Sequence, residues 1–317
     1  MLAAPSSNPI RRAPQVALLG DGRRLHLQDG PIDLVIEAEG AEPAVRAAYA
    51  AAVECFTGLL DALCGELTAL RAPASPDLCP VTGPVARRMW EAVAPFAADH
   101  FITPMAAVAG AVAEAVLGGL VRPGLTRAYV NNGGDIALYL PEGARFTVGL
   151  VDRPDRPYLT GTAVLTTESP VRGVATSGWR GRSFSLGIAD AVTILAPSAA
   201  LADAAASIVA NAVDLPGHRG LLRVPACELQ PDSDLGPRLV TRDVPSLSAA
   251  ERREALGAGL ACAQDLVRRG LICGAALHLQ GDTVGTGAAL AHLSGSAAPT
   301  AVPLSVTPQP EQGRAHA

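Results

Sequence analysis

Three short stretches carry the side chains best able to do chemistry. The first is Asn131-Asn132-Gly133-Gly134-Asp135, set between two apolar runs. Its glycines can adopt positive φ or let backbone N–H groups approach a ligand closely. Asp135 and the two asparagines could hold a ribose, a phosphate-bound metal or the edge of a ring. The same residues also fit a plain hairpin turn, because Asn-Gly is a strong turn signal. The second stretch is Thr176-Ser177-Gly178, which closes an apolar run and precedes Trp179, Arg180, Gly181 and Arg182. Hydroxyls and amides at a strand end, with two guanidinium groups in reach, suit an anionic ligand through forked hydrogen bonds. A solvated loop is the plainer alternative. Ser177 has no sequence-near base, which argues against a nucleophile there.

The third stretch holds Asp203, Ser207 and Asn211, spaced to fall on one face of an Ala/Ile/Val-rich helix. Burying such a stripe costs free energy unless each group is satisfied. A hard divalent cation with oxygen ligands would satisfy it, and so would hydrogen bonds to a neighbouring loop. Asp190 could add a second carboxylate. No two of the six histidines have metal-ligand spacing. His100 stands apart, in Asp99-His100-Phe101-Ile102-Thr103-Pro104-Met105, just before a helix start where backbone N–H groups favour anions. An imidazole titrates near neutrality, which makes His100 an acid/base candidate.

Composition narrows the chemistry. All 25 basic residues among the 317 are arginine. Without lysine, a Walker-type phosphate loop, a pyridoxal site or a Schiff-base aldolase cannot be built, and any side-chain cation facing a phosphate must be Arg. The net charge of −5 argues against nucleic acid as a partner. None of the six cysteines forms a Cys-x-x-Cys pair, so buried thiols in a reducing compartment are expected. No signal-peptide pattern precedes residue 15. Thr103 to Val121 is the most membrane-like stretch, yet it is Ala- and Gly-rich and contains Glu114, so it reads as a buried helix. A cytoplasmic protein acting on a small-molecule ligand, away from membranes, is expected; small-residue helices would serve equally within a monomer or across a homo-oligomer.

The elements that must position these groups are legible in outline. Val16 to Leu27 and Ile32 to Glu37 read as strands around a turn at Asp29-Gly30. Pro43 to Leu70 reads as one long helix, Ala86 to Val93 as a short one, and Pro104 to Leu120 as a helix with Thr103 as N-cap and Pro104 at its first position. Strands are expected at 128–140, with the Asn-Asn-Gly-Gly turn inside, and at 146–151, 163–167, 171–175 and 191–195. Leu201 to Val213 and Ser248 to Arg269 read as helices, the latter with a Ser248/Glu251 capping box. Leu271 to Leu279 reads as a final strand. The expectation is an α+β fold over residues 15–292, between disordered segments at 1–14 and 293–317.

Taken in order, Asn132 to Asp135, Thr176 to Gly178, and the run from Thr193 through Ala196-Pro197-Ser198-Ala199 to Asp203 and Ser207 resemble the ApbE family, flavin transferases that move FMN from FAD onto a protein hydroxyl. The resemblance covers roughly residues 30–215. It implies an ApbE-like fold of mixed and antiparallel sheets packed with long Ala-rich helices. It implies a cleft for FAD or FMN built from Asn131, Asn132, Gly133, Gly134, Asp135, Thr176, Ser177, Gly178, Arg180 and Arg182, and a Mg²⁺ held by Asp203 and Ser207, where the family usually has Thr in place of Ser207. The family's His-x-x-Asp-Pro-x-x-Gly segment is missing, since Ser183 to Asp190 runs almost directly into Ala191. The chain thus resembles a short branch of the superfamily. The expected function is a metal-dependent transfer or cleavage at a pyrophosphate, with Asp190 and His100 as catalytic candidates. A metal-independent hydrolase or isomerase using His100 and a non-catalytic ligand-binding protein are the alternatives.

Overall fold

The structure, a computed structural model, describes residues 13–151 and 159–287. The segments expected to be disordered lie outside the described residues, except for residues 13 and 14.

The chain opens with an antiparallel meander of β1 (Gln15–Leu18), β2 (Leu25–Asp29) and β3 (Ile32–Gly40). Helices α1 (Glu42–Phe56), α2 (Leu59–Gly65), α3 (Leu67–Leu70), α4 (Pro84–Val93) and α5 (Val108–Leu120) follow. Then come β4 (Leu125–Asn132), β5 (Asp135–Tyr139), β6 (Arg145–Val151), β7 (Leu159–Thr166), β8 (Gly173–Ser177), β9 (Ala191–Ala196) and α6 (Ala199–Ala212). The last part holds β10 (Leu222–Pro225), α7 (Ala226–Leu229), β11 (Leu239–Asp243), α8 (Ala249–Arg268), β12 (Gly274–Leu279) and β13 (Asp282–Thr286). Among the described residues, nine strands form one sheet in the order β1-β2-β3-β4-β5-β8-β9-β12-β13, every neighbouring pair antiparallel.

Period-two alternation sorts the central strands onto two faces. Ala128, Val130, Ala137, Ala175, Val192 and Ile194 point into the main core beneath the helices. Tyr129, Ile136, Leu138, Val174 and Leu195 point the other way, into a smaller core with Phe146, Val148 and Leu165 of the β6–β7 hairpin. The fold is therefore α+β, with helices on one face of the antiparallel sheet and a hairpin on the other.

Small residues set the spacing of the helix layer. Gly110 of α5 lies so close to the first turn of α6 that a Cβ there would overlap the Ala199 carbonyl. Dense Ala and Gly thus supply close backbone approach where large side chains are scarce. Thr103 to Val121 is a buried helix as expected, with Ala111, Val112, Ala113, Val116 and Leu120 in the core, but it is not the most membrane-like stretch. Among the described residues, the one helical stretch long and apolar enough to cross a membrane is Glu42–Gly65, with mean hydropathy 1.4. That stretch is interrupted at Gly58, whose φ is +79°, and it packs Ala48, Ala52, Phe56, Leu59 and Leu63 into the core.

Several expectations change in detail. The strand expected over Val16 to Leu27 is two strands joined by a turn containing Gly22, at φ +68°. The single helix expected to Leu70 breaks at Gly58 and again at Glu66. The helix expected from Pro104 starts as a 3₁₀ turn over Pro104–Ala107. Thr103 does not cap it; the Thr103 hydroxyl donates to Asp234 Oδ2 at 2.5 Å. The Ser248/Glu251 capping box is present. Strands β10, β11 and β13 were not expected. All six cysteines are free, but none is fully buried, and Cys64 is exposed.

Candidate functional site

The Asn-Asn-Gly-Gly-Asp stretch is both a hairpin turn and part of the site. Asn132 pairs across the β4–β5 hairpin with Asp135, leaving Gly133 and Gly134 as a two-residue loop at φ +65° and +117°. That geometry demands positive φ at both positions and places Asp135 first in β5. Strand β5 pairs with β8 only through Ile136 opposite Val174 and Ala137 opposite Gly173. Beyond that ladder, the Thr176 N–H donates to Asp135 Oδ1 at 3.3 Å.

The two asparagines hold the turn together. Asn131 Oδ1 accepts from the Gly134 N–H at 2.8 Å, and Asn132 Nδ2 donates to the Ala109 carbonyl at 3.1 Å. The second bond ties the turn to the start of α5. From the other side, Asp203 of α6 accepts the Gly110 N–H on Oδ2 at 3.0 Å. The tight α5–α6 packing at Gly110 is what brings that amide to Asp203.

These constraints converge on one cavity of about 330 Å³, with Asp135, Asp203, Ser207, Ser177 and Arg182 in its wall. The volume sits near the lower end for small-molecule sites, roughly 300–1,000 Å³. Burial pushes the Asp135 carboxyl up to about 7, although the Thr176 N–H and the Arg182 charge pull it down. The Asp203 carboxyl rises well above the ordinary range, first through burial and then through the negative charge of Asp135. Two carboxylates that resist ionising together favour a cation between them. Arg182 is drawn over the turn, its guanidinium filling the space that a side chain at Gly133 would need.

Other sequence candidates lie elsewhere. Asp190 is buried, its Oδ1 accepting from Trp179 Nε1 at 3.2 Å and Arg180 Nε at 2.8 Å, and its Oδ2 from the Gln280 N–H at 2.6 Å. With that many donors, Asp190 anchors the loop after β8 to the β12–β13 turn instead of supplying a second carboxylate to Asp203. Arg180 is committed to the same ion pair and stacks on Trp179, so it does not face the cavity as an anion ligand. His100 is exposed, and neither it nor Asp190 is among the described residues lining the cavity. The Thr176 hydroxyl bonds that of Thr193 at 2.9 Å, and Gly178 packs against the Asp190 backbone. Asn211 does line the cavity with Asp203 and Ser207, but its Oδ1 also takes the loop alternative, accepting from the Leu186 N–H at 2.9 Å and from Ser185 Oγ at 3.3 Å.

The sequence reading missed much of the remaining lining: Arg71, Phe101, Met105, Asp232 and Asp234, from a Pro-rich connection, a loop and an irregular stretch. Arg71 pairs with Asp232 at 2.8 Å. Only the short acidic run Asp232-Ser233-Asp234 gave any local signal, and such runs are common in solvated turns.

Among the described residues, no three His, Cys, Asp or Glu side chains are grouped to hold a metal. The donor set nonetheless fits Mg²⁺, which commonly binds one or two carboxylates and completes its shell with substrate phosphates and water. Asp203, Ser207 and Asp135 supply hard oxygens on one wall.

A protein-family model described as AbpE bacteria matches residues 16–285. The UPF0280 protein of Methanopyrus kandleri is 39% identical over 127 residues, 40% of this chain and 48% of that protein. The UPF0280 protein of Methanothermobacter thermautotrophicus is 40% identical over 117 residues, 36% of this chain and 44% of that protein. That of Methanospirillum hungatei is 31% identical over 159 residues, 49% of this chain and 64% of that protein. The chain thus spans about half the length of the curated relatives it matches. The crystal structure of Pseudomonas stutzeri flavinyl transferase ApbE, apo form, aligns at TM-score 0.48 and 13% identity, over 86% of this chain and 94% of that one.

Proposed function

The chain belongs to the AbpE bacteria family of the ApbE-like superfamily, and from that premise we propose that it binds a phosphate-bearing flavin or nucleotide, such as FAD, in the Asp135–Asp203 cavity and promotes transfer or cleavage at its pyrophosphate. The observation that carries this reading is the meeting of Asp135 and Asp203 on one wall, close enough for the charge of one to raise the pKa of the other.

Asp203 and Ser207 would hold a divalent cation, with Asp135 beside them. The cation, when bound, would neutralise the carboxylate pair and stabilise charge developing on pyrophosphate oxygens. The protein's own residues do the rest. Arg182, the cavity arginine nearest the Asn-Asn-Gly-Gly turn, would meet a phosphate by forked hydrogen bonding. The Ser177 hydroxyl would orient a phosphate or ribose oxygen. Asp135, on the same wall, would be placed to accept the proton of a hydroxyl that attacks phosphorus as the bond to the leaving nucleoside phosphate breaks.

The test is titration of the full chain with FAD and Mg²⁺, following binding by calorimetry and FMN plus AMP by chromatography. Binding that needs Mg²⁺ and fails in Asp203→Asn supports the proposal. Absence of both binding and turnover would refute it.

A further inference from the structure

One edge of the nine-stranded sheet is β1, and among the described residues nothing pairs with its outer side. Its residues Gln15, Val16, Ala17 and Leu18 are all exposed. Sheet edges are ordinarily guarded against pairing by charge, proline or a bulge. Strand β1 carries none of these: it is uncharged, and its register with β2 runs without a shift. At the far edge of the sheet, β13 opens on the charged Asp282.

The register decides what the free edge offers. The Leu19 N–H donates to the Arg24 carbonyl at 2.8 Å. Bonding direction alternates along an antiparallel strand, so Gln15 and Ala17 also turn their backbone groups toward β2, while Val16 and Leu18 turn theirs outward. The side chains of Val16 and Leu18 lie opposite Leu27 and Leu25 and share their helix-side face. Leu25 and Leu27 are buried, yet Val16 is 49% exposed and Leu18 59%. Outward N–H and C=O groups and uncovered apolar side chains therefore belong to the same residues. Helix α1 adjoins the β1–β2 turn, where the Tyr49 hydroxyl donates to the Arg23 carbonyl at 2.6 Å. Only 28% of the most apolar 18 residues of Glu42–Gly65 are buried, so further apolar surface lies near the strand.

Such an edge accepts an extended strand, and β1 is complementary to itself. A two-fold axis through Ala17, perpendicular to the sheet, sets Val16 opposite Leu18 of a second copy and Leu18 opposite its Val16. Both are hydrogen-bonded pairs, with Ala17 meeting its own counterpart between them. A slip of two residues one way brings in Pro14, which has no N–H; the other way it runs into Gly20 in the turn. No charge faces a like charge along the paired strands. Pairing β1 with β13 of another copy would put Asp282 in the ladder and grow without closing.

We propose that the β1 edge is a two-fold interface, through which a second copy of this chain pairs antiparallel, strand to strand, to make one sheet continuous across the dimer. The interface uses no residue of the Asp135–Asp203 cavity and is independent of the function proposed above.

Sedimentation equilibrium of the full chain from about 1 to 200 µM should show a concentration-dependent monomer–dimer equilibrium. Val16→Pro removes an outward N–H and leaves the bonds from β1 to β2 in place; Leu18→Lys sets a charge on the edge. Each should weaken dimerisation at least about tenfold. Both side chains are exposed in the single chain, so either variant decides if the other fails to fold. Cysteine pairing reads the register, in a Cys64→Ser background that removes the exposed native thiol. Residues opposed in a non-hydrogen-bonded pair have Cα atoms about 4.5 Å apart, within disulfide reach, so Ala17→Cys should give a linked dimer on mild oxidation. Gln15→Cys, on the same face of β1, would stand roughly 13 Å from its counterpart and should stay unlinked. A monomer at every concentration, a dimer indifferent to both substitutions, or an unlinked Ala17→Cys chain would each overturn the proposal. Slow amide exchange at Val16 and Leu18 in a monomer would show that another segment of the chain covers the edge, and would overturn it as well.

Discussion

Replacing Asp135 with Asn removes a charge that the fold holds at a cost. Its carboxyl titrates at about 7 in the folded protein, against an ordinary value of 3.8. Below about pH 4 the group is protonated in both states and the cost is absent. As pH rises from 4 to 7, the unfolded chain ionises first, so the folded state binds more protons and stability falls. The rise from 3.8 to about 7 corresponds to about 4 kcal/mol above pH 7, at about 1.36 kcal/mol for each tenfold change. Asp135 opens on the cavity, and water there relieves part of that cost, so about 2 kcal/mol is the expected gain in Asp135→Asn at pH 8. The amide oxygen can still accept the Thr176 N–H, so no compensating hydrogen bond is lost. Urea unfolding from pH 4.5 to 8.5 is the assay. The variant should match the wild type within about 1 kcal/mol at pH 4.5 and exceed it by about 2 kcal/mol at pH 8. A variant no more stable than the wild type at pH 8, or a difference that does not change with pH, would refute the claim that burial raises this carboxyl.

Three further outcomes follow from the geometry. Gly133→Ala puts a methyl where the Arg182 guanidinium lies and strains a position at φ +65°; stability should drop by about 1–2 kcal/mol, and pyrophosphate affinity with Mg²⁺, measured by calorimetry, should weaken as Arg182 is displaced. Gly110→Ala drives a methyl into the Ala199 carbonyl; overpacking of about 1–3 kcal/mol should appear as an earlier urea midpoint. Asp190→Ala leaves Arg180 without its partner and should cost about 3 kcal/mol, yet leave Mg²⁺-pyrophosphate affinity unchanged in the folded protein; a loss of affinity would restore Asp190 to the site.

What the sequence determined by itself was local. Alternating apolar residues around Asn131–Asp135 specified the β4–β5 hairpin, because two adjacent glycines supply the positive φ that its loop requires. The Ser248/Glu251 spacing specified the start of α8, since a capping box closes within one turn. The Asp203–Ser207 stripe was visible from helical periodicity alone. Only the tertiary structure decided which groups meet. Asp135 and Asp203 are far apart in sequence, and their meeting depends on how closely α5 approaches α6 at Gly110 and on where the β5–β8 ladder stops. Asp190 and Asp203 look alike in sequence, yet one is saturated by Trp179, Arg180 and Gln280 while the other faces a cavity. Phe101 rather than His100 turns inward, and no periodicity marks that loop. Hydrogen bonds within a turn are encoded by neighbours in the chain, whereas desolvation and charge coupling depend on everything packed around a group. That is why the elements could be read from the sequence and the composition of the cavity could not.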